Sequence, residues 1–150
     1  VQLFRATFSL AFYRAFRVGE LVARSKTDHQ GGLQLADISW QGGTLAVTLP
    51  RTKTDQMGRG EHVVLSRAIG NPCCPLSNLE AHLALQPIRA ATTLLMHEYG
   101  TPFKVSVYKG AYLSTDTAGL SPSKFSVHSF RIGTTTTATG MGLGDRPFRE

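Results

Sequence analysis

The stretch Thr44-Leu45-Ala46-Val47-Thr48-Leu49 alternates large apolar side chains with small ones. This period of two predicts a β-strand with one apolar face. Gln41-Gly42-Gly43 before it predicts a tight turn, and Leu35–Trp40 before that turn predicts a partner strand. Glu61–Leu65 predicts a third strand, after a polar connector. The expected sheet is a three-stranded antiparallel meander.

Helical spacing governs most of the remaining chain. Val1–Phe16 carries apolar residues on one face of a helix, and Gly19 is expected to break or turn the chain before a second helical segment that starts with Glu20–Ala23. Pro75 is suited to open a helix, and Phe103–Ala118 predicts another. These patterns predict an α+β fold, a mostly helical domain with a small three-stranded antiparallel sheet. The inward residues expected of the first helix are Leu3, Phe4, Thr7, Phe8, Ala11, Phe12 and Ala15, and those of the helix at Pro75 are Leu76, Leu79, Leu83 and Ala84.

Length and charge limit the class of protein. The chain has 150 residues, and residues 1–150 are expected to form a single domain. Its net charge of +6 and its pI of about 9.8 favour an anionic partner, most often nucleic acid. Cys73 and Cys74 are neighbours that are not expected to bond to each other or to form a zinc motif, which fits a reducing, intracellular compartment. No membrane partner is expected, because no apolar run approaches the length of a bilayer span.

The stretch His128-Ser129-Phe130-Arg131-Ile132-Gly133 places a histidine and an arginine on one face of a predicted helix. Ser126-Val127 offers the N-cap, so that His128 lies in the first turn, where free N–H groups favour an anion. The small residues of Thr134–Ala138 allow close packing on a neighbouring helix. This arrangement suits a phosphate, although a capped helix with a surface arginine is the simpler alternative.

Two further cations are candidates for the same phosphate. Arg17 lies at a chain junction, with large apolar residues before it and Glu20 three residues later. It is either a surface arginine paired with Glu20 or an arginine fixed by packing and directed at a phosphate. Lys53 lies in the basic connector between the second and third strands, where an edge lysine that blunts sheet aggregation is the alternative.

Three stretches in order carry a resemblance to a known family. They are Phe16-Arg17-Val18-Gly19-Glu20-Leu21, Arg51-Thr52-Lys53-Thr54-Asp55 and His128-Ser129-Phe130-Arg131. Together they resemble the first-arginine motif, the β-hairpin lysine and the H-x-x-R motif of the tyrosine recombinase (phage-integrase-like) catalytic domain. The residues of the last motif, together with Cys74-Pro75-Leu76 before a helix, resemble those of recombinases of eukaryotic mobile elements of the DIRS or Crypton type. The similarity runs from about Phe12 to Leu143.

The resemblance implies a chemistry and a set of partners. Family members cut DNA by attack of a tyrosine on a phosphodiester, without a metal or another cofactor, because protein cations neutralise the phosphate. Arg17 and Arg131 would hold the non-bridging oxygens, Lys53 would be the general acid for the leaving 5′-oxygen, and His128 would assist proton transfer. The implied role is site-specific DNA recombination and integration on double-stranded DNA, in the nucleus, with a homo-oligomer on DNA in the full-length protein and no small-molecule substrate.

One departure from the family limits the expected activity. The family has a second His or Trp and then the nucleophilic tyrosine after H-x-x-R, whereas Gly133–Glu150 contains none of these residue types. The chain is therefore expected to be incomplete at the C-terminal end and unable to cleave DNA by itself. A non-catalytic DNA-binding remnant of a mobile element and a basic RNA-binding α/β domain are the alternatives. The RNA-binding alternative predicts that the four candidate side chains are dispersed in the fold. The recombinase domain and the DNA-binding remnant both predict that their charged ends lie within roughly 10 Å of one another.

Overall fold

The computed structural model of the chain describes residues 2–25, 32–49, 57, 60–86, 93–104, 119, 121, 124 and 129–142, with the backbone alone at 130 and 131. These residues form four α-helices and a three-stranded antiparallel sheet, which confirms the α+β class. The helices are α1 (Gln2–Arg14), α2 (Val18–Leu21), α3 (Pro75–Leu85) and α4 (Ser129–Gly140), and the strands are β1 (Ile38–Gln41), β2 (Thr44–Leu49) and β3 (Glu61–Ser66).

The sheet has the predicted meander order β1-β2-β3. Gly42 and Gly43 both have positive φ angles, 52° and 85°, as a two-residue hairpin turn requires. The apolar face of β2 is buried in the same hydrophobic core as residues of α1 and α3, which confirms the prediction for that strand. The first strand, however, begins at Ile38 rather than Leu35. Residues Leu35–Asp37 form a 3₁₀ turn instead, in which Asp37 Oδ2 accepts the backbone N–H of Gln34 at 2.8 Å.

Helix α1 forms the centre of the helical part and is more deeply buried than predicted. Leu10 and Ala6, which lie outside the predicted apolar face, are fully buried, and Ser9 is also buried. The helix is buried on more than one side because α3 and α4 both pack on it. Ala15 was expected inside the helix, but it follows the helix with a φ of 54° and turns the chain away.

The predicted helical segment after Gly19 is confirmed only for Glu20 and Leu21. Gly19 does not break the chain but lies within the single helical turn α2, and Val22 and Ala23 are extended beyond it. The backbone N–H of Ala23 donates to the carbonyl of Phe103 at 3.1 Å, so Phe103 and Lys104 are also extended rather than helical. The remainder of the predicted Phe103–Ala118 helix lies outside the described residues.

Gly32 allows two backbone segments to approach closely beside α2. Its φ is +76°, and a Cβ atom placed on it would lie 2.8 Å from the carbonyl oxygen of Leu21. The next residue, Leu33, donates its N–H to that same oxygen at 3.2 Å, and its own carbonyl accepts from Leu94 at 2.9 Å. The glycine thus ties the end of α2 to the buried Leu94-Leu95 segment.

Helix α3 begins at Pro75, as predicted, with Cys74 at the N-cap. Leu76 and Leu79 are buried, but Ala84 is exposed, and the buried side continues instead through Asn78 and His82. Both cysteines are free thiols, Cys73 exposed and Cys74 buried.

Helix α4 ends in a turn at Met141-Gly142, where Gly142 has a φ of 76°. None of the described helices combines the length and the apolar character that a membrane crossing needs.

Candidate nucleic-acid interface

Arg17 is held at the start of α2 by the carboxylate of Glu20. The backbone N–H of Arg17 donates to Glu20 Oε2 at 2.7 Å, and the other oxygen, Oε1, lies 3.6 Å from Arg17 Nη1. The backbone N–H of Glu20 donates in turn to the carbonyl of Arg17 at 2.9 Å. The bond from the Arg17 N–H to the Glu20 carboxylate is one half of a capping box. The other half needs an acceptor on the Arg17 side chain, and a guanidinium has none. Buried Phe16 anchors the chain immediately before Arg17.

The Arg17 guanidinium keeps donors available for an anion. Its side chain is 34% exposed, whereas that of Glu20 is only 13% exposed. Within the described part of the chain, Glu20 is its one ionic partner, and the 3.6 Å separation is longer than a hydrogen bond. A guanidinium has five N–H donors in a planar fork, so most of them remain able to bind phosphate oxygens. The observed site thus contains both the Glu20 pairing and the fixed position that the sequence offered as alternatives.

Helix α4 packs against the C-terminal part of α1, and this part of α1 is close in sequence to Arg17. A Cβ atom on Gly133 would lie 3.6 Å from Phe12 Cε2, and the hydroxyl of Thr134 donates to the carbonyl of Phe12. The predicted close packing of the small residues after H-x-x-R is therefore confirmed. Phe12 precedes Arg17 by five residues, and Arg131 precedes Gly133 by two. The two helix–turn segments that carry the predicted arginines consequently share one contact region.

The remaining predicted site residues are described only in part. Arg131 belongs to the first turn of α4, with its backbone described and its side chain outside the description. Lys53 and His128 lie outside the described residues, as does the predicted N-cap Ser126-Val127. The convergence of the four cationic side chains on one phosphate therefore stays a prediction.

Arg67 provides a contrast to Arg17. Its guanidinium donates to both oxygens of Glu80, at 3.0 and 2.5 Å, and also to the hydroxyl of Ser77 at 3.0 Å. The hydrogen bond from Arg67 is the main cause that lowers the pKa of Glu80 below its ordinary value. This planar fork is thus occupied by a carboxylate and a hydroxyl, which leaves fewer donors for a phosphate than at Arg17.

Sequence reasoning did not identify a second concave region, at the other end of α1. There a groove contains His82 from α3 together with His97 and Tyr99. His82 follows the buried Leu79 by three residues, so helical spacing along α3 could have predicted that His82 lies on the buried side. The contribution of His97 and Tyr99 depends on long-range packing and left no signal in the sequence. Among the described residues, those of the groove included, no group of three or more His, Cys, Asp and Glu side chains is arranged to hold a metal ion.

Comparison with known proteins gave no relatives. No protein-family model matches the chain, no curated protein matches it significantly, and no solved structure does so either. The interpretation of the site consequently depends on the residues and contacts themselves.

Proposed function

We propose that this chain is a DNA-binding domain of the tyrosine recombinase type, acting in DNA recombination and integration. The observation that carries the proposal is the Arg17 turn, in which Glu20 and Phe16 hold a partly exposed arginine five residues after Phe12, where α4 packs on α1. The spacing resembles the first-arginine motif of the family, an arginine with a glutamate three residues on. The order of the three motifs and the net charge of +6 support the same function.

The proposed site acts on the phosphodiester backbone. Arg17 and Arg131 bind the non-bridging oxygens, because the planar guanidinium matches the geometry of a phosphate. In a complete site, where a tyrosine forms the new bond to phosphorus as the 5′-oxygen leaves, Lys53 would donate a proton to that oxygen and His128 would assist proton transfer. The candidate residues of this chain supply the cationic pocket and not the nucleophile. No metal is required in this scheme, since the cations supply the positive charge that stabilises the transition state.

Binding of this kind is governed by phosphate contacts, so it depends on salt and little on sequence. Each phosphate contact that is lost reduces the slope of log K against log salt concentration by about 1. A hydrogen bond to a charged group contributes about 1.5–3 kcal/mol, so the loss of Arg17 weakens duplex binding roughly 10- to 150-fold.

The test is fluorescence anisotropy of a labelled blunt DNA duplex, titrated with the whole chain over a range of salt concentrations. Arg17→Gln and Arg131→Gln are expected to weaken binding and to flatten the salt dependence. Arg67→Gln is the matched control, because it removes the same charge from an arginine that is already held by Glu80. Equal weakening by all three variants would mean that only net charge matters and would refute the proposed site. Tighter binding of an RNA duplex of the same sequence would favour the RNA-binding alternative.

A further inference from the structure

A groove with a volume of about 640 Å³ opens at the end of α1 that lies opposite Arg17. Its walls are the first turn of α1, the last turn of α3 and the hairpin turn that follows Met96. Helix α1 is 13 residues long, about 20 Å at 1.5 Å per residue, with the groove at its first turn and Arg17 just beyond its last turn. The groove is therefore distinct from the Arg17 turn, and it is large enough for one nucleotide-sized ligand.

An aromatic series leads from the core to the open side of this groove. The ring of Phe103, which is fully buried, contacts the rings of Phe4 and His97 edge to face, with centroids 5.2 and 5.5 Å apart. The His97 ring in turn lies nearly parallel to that of Tyr99, at 13° and 5.8 Å. Tyr99 is 82% exposed. The core thus supports a flat aromatic surface whose outermost ring is open to a planar ligand.

The floor of the groove is polar and fixed. His82 is only 4% exposed, and its Nε2 lies 2.9 Å from Gln86 Nε2, which also donates to the carbonyl of Leu94 at 2.7 Å. The amide can donate to this imidazole nitrogen only when the nitrogen carries no proton, which requires the neutral ring at that position. Burial lowers the pKa of both His82 and His97, in agreement with neutral imidazoles.

The rim of the groove carries opposite charges. Arg5 and Glu98 are both exposed there, and no ion pair of Arg5 occurs within the described residues. A guanidinium at the rim suits a phosphate, and a carboxylate can accept a hydrogen bond from an exocyclic amino group such as that of cytosine. An aromatic surface, a polar floor and one rim cation together fit a nucleotide better than an aliphatic or purely anionic ligand.

We infer that this groove binds an unpaired base of single-stranded DNA, stacked on Tyr99 with its phosphate towards Arg5. The inference rests on the proposed DNA-binding function and adds a second contact to it. Inside a duplex the neighbouring pairs cover both faces of each base, so the base that stacks on Tyr99 is an unpaired one and the ligand is single-stranded. Stacking on one aromatic residue is tolerant of base identity, because every base has a flat face.

The test compares a fluorescein-labelled single-stranded oligonucleotide with the blunt duplex that it forms with its complement. Tyr99→Ala is expected to weaken single-strand binding roughly 5- to 150-fold, the range that corresponds to the loss of one stacked base, and to leave duplex binding unchanged. Tyr99→Phe keeps the ring and is expected to retain the affinity. Ile69→Ala, at an apolar side chain that is 92% exposed, is the matched control and is expected to change neither affinity.

The outcomes separate the two proposals. Single-strand affinity that is unaffected by Tyr99→Ala, or that falls equally for the duplex, overturns the groove assignment. If the duplex still binds through Arg17, the proposed function stands without the groove. Competition of an aromatic peptide, but not of a single-stranded oligonucleotide, for the groove would assign it to a protein partner and would also overturn the inference. Far-ultraviolet circular dichroism of each variant verifies that the fold is retained.

Discussion

Replacement of Gly32 by alanine tests how the end of α2, and with it the Arg17 turn, is held in place. An L-residue in the left-handed conformation costs about 1–2 kcal/mol, and the φ of +76° applies this cost to Gly32→Ala. The new Cβ would also lie 2.8–2.9 Å from three backbone atoms of Leu21 and Val22, which cannot move aside as a flexible side chain would. Overpacking of this kind costs about 1–3 kcal/mol. The expected destabilisation is therefore about 2–5 kcal/mol.

Gly100→Ala separates the two contributions. Gly100 has a φ of +78°, but no described atom lies within 4 Å of the position of its Cβ, so only the conformational cost of about 1–2 kcal/mol applies. The assay is urea unfolding followed by the fluorescence of Trp40, the single tryptophan of the chain. Gly32→Ala is expected to be more destabilising than Gly100→Ala by about 1–3 kcal/mol. Equal free energies of unfolding for the two variants would refute the close approach of the backbone segments at Gly32.

Three further changes are expected to alter stability in the same urea assay. Ala15→Gly relieves the left-handed alanine at φ 54° and should stabilise the chain by about 1 kcal/mol; a loss of stability would contradict the turn. Gly133→Ala should also stabilise it by about 1 kcal/mol through helix propensity, because its Cβ would make an ordinary 3.6 Å contact with Phe12; destabilisation would mean that the two helices lie closer. Since the pKa values of His82 and His97 are lowered in the folded chain, the unfolded chain binds protons at a higher pH than the folded chain does. Stability should therefore fall as the pH decreases below 6.5, by up to about 1.4 kcal/mol per pH unit for each histidine, and a flat profile would contradict their burial.

Local sequence signals predicted the elements whose causes are local. The alternation in Thr44–Leu49 and the Gly42-Gly43 turn define the central hairpin, and Pro75 marks the start of α3. The start of the first strand was misplaced because the Asp37 carboxylate binds the backbone N–H of Gln34, a side-chain contact that competes with strand pairing.

Features that depend on several elements could not be predicted in the same way. Leu10 is at helical spacing from Leu3 and Ala6, but the phenylalanines of α1 occupy a neighbouring face, and which face is buried follows from α3 and α4 packing on the helix. The position of Arg17 at a chain junction was predicted, but its double contact with Glu20 depends on the helical turn α2, which Gly19 had been expected to interrupt. The aromatic surface at Tyr99 is formed by contacts that run back through Phe103 to α1.

The contact between Phe12 and Thr134 has a consequence for synthesis of the chain. The two residues are 122 positions apart, so translation at 5–20 residues per second places roughly 6–25 s between them. The strands of the meander follow one another closely and pair early, since contacts between neighbouring segments form fastest. During that interval the side of α1 that later receives α4 remains open on the nascent chain. Among the described helices, α1 is thus the one that waits longest for its packing partner, which gives co-translational chaperone binding its longest window there.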